Sequence, residues 1–303
     1  MSKIVVVGSI NADLNTRVAR HPQPGETLMA TGGGITAGGK GANQAVAAAR
    51  LGAEVAMVGA VGRDAYAAPA TELLRDAGVD LAAVAETDET TGLAVITVDA
   101  AGENTILVVA GANGTVDAAA VEKARDLIAG AEVVLLQGEI PAEGFAAAVA
   151  IAREAGVRVV VNLAPVIEVD RDALLAADPL MANEHEAGLI LDQLGAGIDS
   201  EDPGRLAAAL LEVGFPSVLL TLGAAGAMVA DAEGTTAIPT PRIEAVDTVG
   251  AGDAFAGAYV ARLVAGDTIR DAARYAARVG AFAATGRGAQ ASYPRVGDAL
   301  PEV

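Results

Sequence analysis

The stretch Asp247-Thr248-Val249-Gly250-Ala251-Gly252-Asp253-Ala254-Phe255 places two glycines and a carboxylate at the head of an apolar run that continues to Val264. Glycine lets a backbone turn tightly and approach a ligand closely. The N–H groups that open a helix lack intrahelical partners, and with the helix dipole they favour an anion. Asp253 beside such a site reads as a base next to a phosphate. It reads equally as an N-cap after a glycine turn, and this segment alone leaves both open.

Other polar residues sit where strands end. Gly8-Ser9-Ile10-Asn11-Ala12-Asp13 leaves the first strand with an amide and a carboxylate two residues apart, hence on the same side of an extended segment. By itself that piece is also an ordinary Asx turn. Gln137-Gly138-Glu139, Asn162 and Asn183-Glu184-His185-Glu186 likewise follow apolar runs. Ligands of open α/β sheets bind outside the carboxyl ends of strands, so several polar ends on one rim argue for a site. Gly34-Ile35-Thr36-Ala37-Gly38-Gly39-Lys40-Gly41 approaches the phosphate-cradling G-x-x-x-x-G-K-[ST] loop, but Gly41 lacks the magnesium-binding hydroxyl. No convincing strand runs into it either. What remains is a glycine turn presenting Lys40 and Asn43 to a polar small molecule. With two histidines and no cysteine, His21 and His185 give little support to a metal site or a Ser-His-Asp triad.

The elements that must position these residues alternate. Strands are expected at Ile4–Val7, Glu54–Val58, Val133–Leu136, Val157–Asn162, Leu180–Ala182, Ser217–Leu222 and Gly226–Ala230. Helices are expected at Gly41–Leu51, Ala65–Ala77, Ala142–Ala155, Glu184–Leu191, Asp202–Val213, Gly252–Ala265 and Ile269–Thr285. Strands apolar on both faces and separated by helices imply a parallel sheet covered on both sides. Thr91–Asp99 and Asn104–Val109 read as a hairpin, and Leu14–Thr36 is helix-poor. Together these pieces, about 14–36 and 91–109, make a small β-rich lid on a single α/β domain spanning the chain.

The 303 residues are 52% hydrophobic and 19% charged, which is a globular composition. Aromatics are only 3% while Gly and Ala abound, so the helices should pack closely through small side chains. A formal net charge of −19 argues against nucleic acid as a partner. It also means that any phosphate must be held by backbone N–H groups and a few placed cations. No apolar run reaches membrane-spanning length. Met1-Ser2-Lys3 followed directly by Ile4–Val7 reads as a strand and not a signal peptide, so a cytoplasmic location is the expectation.

The order of these pieces resembles the PfkB/ribokinase family of carbohydrate kinases across nearly the whole chain. The resemblance rests on Gly8–Asp13, Pro24-Gly25-Glu26-Thr27, Gly38–Ala45, Gly102-Glu103-Asn104 and Gly111-Ala112-Asn113. It continues through Asn183–Glu186, Thr221-Leu222-Gly223, the Asp247–Phe255 signature and Gly286-Arg287-Gly288-Ala289-Gln290. It implies a three-layer α/β/α fold with a lid and ATP-dependent phosphorylation of D-ribose at its 5-hydroxyl. Asp253 would be the general base, with Gly250, Ala251, Gly252 and Asp253 forming the anion hole. Asn11, Ala12, Asp13, Gly39, Lys40, Gly41, Ala42, Asn43 and Glu139 would line the sugar site. Asn183, Thr221, Leu222, Gly223, Ala224, Ala225, Gly226, Gly252, Asp253 and Ala277 would face the nucleotide. Glu186 would help place magnesium through water. Asp247, Val249, Ala283, Gly286, Gly288 and Ser292 match positions that bind an activating monovalent cation, potassium. In relatives the lid closes over the sugar and pairs into a homodimer. Leu163 stands where a proline is common, and Ala291 and Tyr293 lie near the cation loop.

Two other readings stay beside this one. Another pentose or a nucleoside, such as deoxyribose or adenosine, could replace ribose, although four Phe, four Tyr and no Trp offer little surface for a base. A non-catalytic sugar sensor could use the same fold, but it would have no need of Asp253 with Gly250 and Gly252. A dinucleotide oxidoreductase is disfavoured, because no G-x-G-x-x-G follows the first strand.

Overall fold

A computed structural model of the chain describes residues 3–303. Met1 and Ser2, part of the N-terminal expectation, lie outside the described residues. Strand β1 (Ile4–Val7) is followed by β2 (Asn11–Arg17), β3 (Gly32–Gly38) and helix α1 (Lys40–Arg50). Then come β4 (Val55–Gly62), α2 (Ala67–Asp76), β5 (Asp80–Thr87), β6 (Gly92–Val98) and β7 (Asn104–Val109). Short helices α3 (Ala118–Glu122) and α4 (Arg125–Ala129) lead to β8 (Val133–Gln137), α5 (Ala142–Ala155) and β9 (Arg158–Asn162). They are followed by α6 (Arg171–Leu174), β10 (Ala177–Asn183), α7 (Glu184–Gln193) and α8 (Pro203–Val213). Next come β11 (Ser217–Thr221), β12 (Ala227–Asp231), β13 (Gly234–Ile238), α9 (Ala251–Val264) and α10 (Ile269–Ala284), followed by residues 285–303 without further long elements.

The main sheet has nine strands in the order β13-β12-β11-β10-β9-β8-β1-β4-β5. It is parallel from β11 to β5, with β12 and β13 added antiparallel at one edge. Alternation within the strands splits the core in two. Ile4, Val6, Met57, Val133 and Leu135 face a cluster shared with α1, α9 and α10. Val5, Val7, Val58, Val134 and Leu136 face a cluster shared with α5, α7 and α8. Runs such as Ile4–Val7 are apolar throughout because both of their faces are covered. The chain moves outward from β1 to β4 and β5 on one side, and from β8 to β11 on the other. The order therefore reverses between β1 and β8, whose carboxyl ends deliver Ser9 and Glu139 to the crevice where such sheets bind ligands.

The lid is a four-stranded sheet in the order β3-β2-β6-β7. Its strands extend beyond the expected pieces. β2 begins at Asn11, so Asn11 and Asp13 belong to the lid sheet and are not a turn leaving β1. β3 reaches Gly38 and enters α1 through the single residue Gly39, so a strand does run into the glycine turn. Sequence periodicity missed β5 and β13. These are edge strands; Asp80–Thr87 is Ala-rich and Gly234–Ile238 is short, Gly-led and exposed for most of its length, so neither presents the apolar run that marks a buried strand.

Candidate active site

Asp253 lies in the first turn of α9 and is only 6% exposed. Two successive α1 residues hold it: Asn43 Nδ2 donates to Oδ2 and Gln44 Nε2 donates to Oδ1, both at 2.9 Å. The helices approach this closely because α9 presents Gly257 to α1, where a β-carbon would stand 2.4 Å from the Gln44 carbonyl oxygen. Gly250 starts α9 with φ of 75°, and a β-carbon there would collide with Ala289 and with the Tyr293 hydroxyl. That hydroxyl donates to the Gly250 carbonyl at 2.9 Å. Burial pushes the Tyr293 phenol well up, so it stays protonated as the donor. The Ala251 N–H donates to the Thr248 carbonyl and that of Ala254 to the Gly250 carbonyl. Among the described residues the N–H groups of Gly250, Gly252 and Asp253 have no hydrogen-bond partner. The start of α9 thus leaves three N–H groups free, while that of Ala251 is engaged by Thr248.

The opposite wall comes from the lid strands and the α1 N-terminus. Glu139 Oε2 accepts from the Lys40 backbone N–H at 2.9 Å and from Ser9 Oγ at 2.5 Å, so a carboxylate already caps α1. This removes the triphosphate-loop reading of the glycine turn, whose N–H group is spent on Glu139. Gly39, with φ of 87°, brings the chain so close to Ser9 and Asn11 that a β-carbon would lie 2.8 Å from the Asn11 nitrogen. Asn113 Nδ2 donates to Asn11 Oδ1 at 2.7 Å, fixing which way that amide faces. Asp13 Oδ1 is buried without a partner. Burial, then the charges of Glu139 and Asp253, push its carboxyl up to about 7. Lys40 is raised as well, chiefly by Asp253 against the opposing effect of burial. The site is thus a group of carboxylates around one ammonium, rich in acceptors for hydroxyl groups.

A cleft of about 160 Å³ joins Asp253 to the neighbouring strand ends, lined by Lys40, Asn162, Asn183, Glu186, Thr221, Gly250 and Gly252 among others. Asn183 and Glu186 form a reciprocal capping box on α7, with bonds of 2.8 and 2.9 Å. The pair therefore terminates a helix and lines the cleft at once. Thr221 leads into the turn Leu222-Gly223-Ala224-Ala225-Gly226, exposed at Gly223, Ala224 and Ala225 and closed by the Leu222 N–H donating to the Gly226 carbonyl at 2.8 Å. The expected cation loops also meet. Asp247 accepts from the Val249 N–H at 3.0 Å and from the Gly288 N–H at 2.9 Å, and Gly286 packs against Ser292. The Gly286 N–H donates to the Ala283 carbonyl. Each Asp247 oxygen accepts one backbone N–H and keeps a further lone pair, so the loop gathers a carboxylate and carbonyl oxygens of the kind a monovalent cation takes.

Three residues grouped above with the binding positions are core residues. Ala12 lies on the β2 face opposite its neighbours Asn11 and Asp13, Ala42 lies inside α1, and Ala277 lies in α10, 4% exposed, with its carbonyl bonded to Thr240. Only their backbone remains for a ligand. Gly41 is spaced by the backbone of Gly8 and Ser9, which leaves no room for a side chain. Sequence reading gave no role to Ser9, Gln44, Asn113 and Gln290, and it noted Tyr293 only beside the cation loop; all five hold site residues in place. Four of them stand within or beside quoted motifs, but their partners are distant in the chain and no spacing announces them.

Sheet order, lid, and a buried carboxylate behind an anion-receptive helix start define a carbohydrate kinase. The chain belongs to the PfkB family: the profile described as pfkB family carbohydrate kinase matches residues 1–296. Among curated proteins, a ribokinase of Schizosaccharomyces pombe is 38% identical, covering 97% of this chain and 95% of its own. A deoxyribokinase of Salmonella typhi is 34% identical, covering 97% and 96%. Among solved structures, Arabidopsis thaliana ribokinase complexed with ribose and ATP superposes with a TM-score of 0.88 at 31% identity, covering 97% and 96%.

Proposed function

We propose that the chain transfers the γ-phosphoryl group of ATP to the 5-hydroxyl of D-ribose. The observation that carries this reading is Asp253 itself, buried, held at both oxygens and facing the cleft beside the free N–H groups of the α9 start. In the step, the sugar oxygen bonds to the γ-phosphorus as the bond to the ADP oxygen breaks. Asp253 takes the hydroxyl proton, and the N–H groups of Gly250, Gly252 and Asp253 receive the charge on the transferring group. Asn11, Asp13, Gly39, Lys40, Asn43 and Glu139 hold the ribose hydroxyls. Asn183 and the Thr221–Gly226 turn take the nucleotide. The lid sheet excludes water, which would otherwise accept the phosphoryl group.

Among the described residues no cluster of three or more His, Cys, Asp or Glu could cage a metal. Magnesium fits here as an ion carried by phosphates and water, with Glu186 as an outer partner. Potassium fits the carbonyl-rich loop of Asp247, Val249, Ala283, Gly286, Gly288 and Ser292. Bound there, it would help hold the start of α9 in place. We place the enzyme in the cytoplasm as a homodimer joined through its lid.

The deoxyribokinase relative supports deoxyribose as the second reading. The deciding experiment compares kcat/KM for ribose, deoxyribose and adenosine with ATP, magnesium and potassium. Ribose should be preferred, and a preference for either competitor removes ribose as the substrate. Asp253→Asn should lose on the order of 10³-fold or more in kcat while still binding ribose. Turnover near that of the wild type would remove Asp253 from the base role.

A further inference from the structure

A continuous line of side-chain amides runs beneath the cleft and ends on Asp253. Gln290 Nε2 donates to Asn43 Oδ1 at 2.9 Å, and Asn43 donates in turn to Asp253. On the other oxygen, Gln44 Nε2 donates both to Asp253 and to Asn162 Oδ1, each at 2.9 Å. Gln44 Oε1 accepts from Gln137 Nε2 at 2.7 Å, and Asn162 Nδ2 donates to the Met181 carbonyl at 3.2 Å. The direction of every link follows from the carboxylate, which faces only N–H donors. Gln44 has no exposed surface, so it touches neither substrate, yet each of its polar atoms is engaged.

We propose that Gln44 is the positioning residue of the base. It sets the rotation of the Asp253 carboxylate and, through Gln137 and Asn162, ties that rotation to the carboxyl ends of β8 and β9. The inference rests on Asp253 acting as the base. The terminal torsion of an aspartate is soft, and donors on both oxygens remove that freedom. An error near 1 Å in such a group costs on the order of 100-fold in rate. A merely space-filling residue at this position would be apolar, since an interior amide gains nothing over a hydrocarbon unless all its bonds are made.

The test is a double-mutant cycle with D-ribose, ATP, magnesium and potassium. Gln44→Met keeps the volume and removes both donors, and should lower kcat on the order of 10- to 100-fold, the worth of a charge-assisted hydrogen bond. The Kd for ribose, measured by calorimetry, should change by less than about threefold. In an Asp253→Asn background the same substitution should change residual kcat by less than about threefold, because its effect passes through the carboxylate. Gln44→Glu, which sets an oxygen against Asp253, should be more damaging than Gln44→Met. Unchanged kcat in Gln44→Met, or an equal loss in both backgrounds, overturns the proposal. Should Gln44→Met not fold, Gln137→Met removes the next link and must show the same background dependence with a smaller loss. If Asp253→Asn alone turns over like the wild type, it is the base assignment that fails, and the two failures are told apart.

Discussion

Asp13 carries an acid pushed up to about 7 by burial and by the charges of Glu139 and Asp253, with one buried oxygen left without a partner. The folded chain holds that proton more tightly than the unfolded chain, whose group titrates near 3.8. Its contribution to stability is therefore full below about pH 4 and is lost as pH rises through 7. Asp13→Asn should raise Tm by a few degrees at pH 8, with the gain shrinking toward pH 5, and should weaken ribose binding. Thermal melts at both pH values decide this, and an equal gain at the two would remove the electrostatic cause. Carboxylates perturbed by burial and like charge in this way cluster at functional sites. The sequence pointed to Asp13 through its spacing from Asn11, but the carboxylates of Glu139 and Asp253 that perturb it lie far along the chain. The same holds for Asp253. The motif around it was legible, whereas its grip by Asn43 and Gln44 required α1 and α9 to be adjacent.

That adjacency is decided at the level of elements. α1 is made of small residues along Ala42, Ala45, Ala47 and Ala48, and α9 answers with Ala254, Gly257, Ala258 and Ala261. The high Ala and low aromatic content foretold close packing, and the contact at Gly257 is its extreme. A methyl group there would stand 2.4 Å from the Gln44 carbonyl and 2.6 Å from the Ala47 β-carbon, so the helices would have to part. Gly257→Ala should cost about 1–3 kcal/mol of stability and lower kcat at the same time. Gly188→Ala in α7 meets no atom within 4 Å and should do neither. Melting and steady-state rates on both variants check this; intact turnover in Gly257→Ala would show that the close approach is not needed for the base. Element positions within the main sheet were readable where its buried strands are continuous apolar runs, as in Ile4–Val7 and Val133–Leu136. Edge strands β5 and β13 were not, because they are largely solvent-facing and lack the continuous apolar run of a buried strand.

At the scale of the whole molecule, β7 is exposed along its full length, including Ile106, Leu107 at 65% exposure, Val108 and Val109. Apolar side chains on both faces of an edge strand are the pattern of a surface that pairs with a partner. If the lid joins two copies, Leu107→Asp should give a monomer by sedimentation and raise the KM for ribose, since the lid would lose its support. A monomeric wild type would end that reading. The sequence by itself determined the class of fold and the family. Alternation of apolar runs and helices is local, and the glycine-aspartate signature is contiguous. It also pointed to most residues of the cleft: Asn162, Asn183 and Glu186 follow strand ends, and Gly250, Gly252 and Asp253 form the contiguous glycine-aspartate motif. Only the tertiary structure decided that Asn11 and Asp13 ride on the lid sheet, that Glu139 and not phosphate caps α1, and that Ala12, Ala42 and Ala277 belong to the core. It alone joined five amides to one carboxylate, for hydrogen bonds between residues about 100 to 250 positions apart depend on packing that no local pattern encodes.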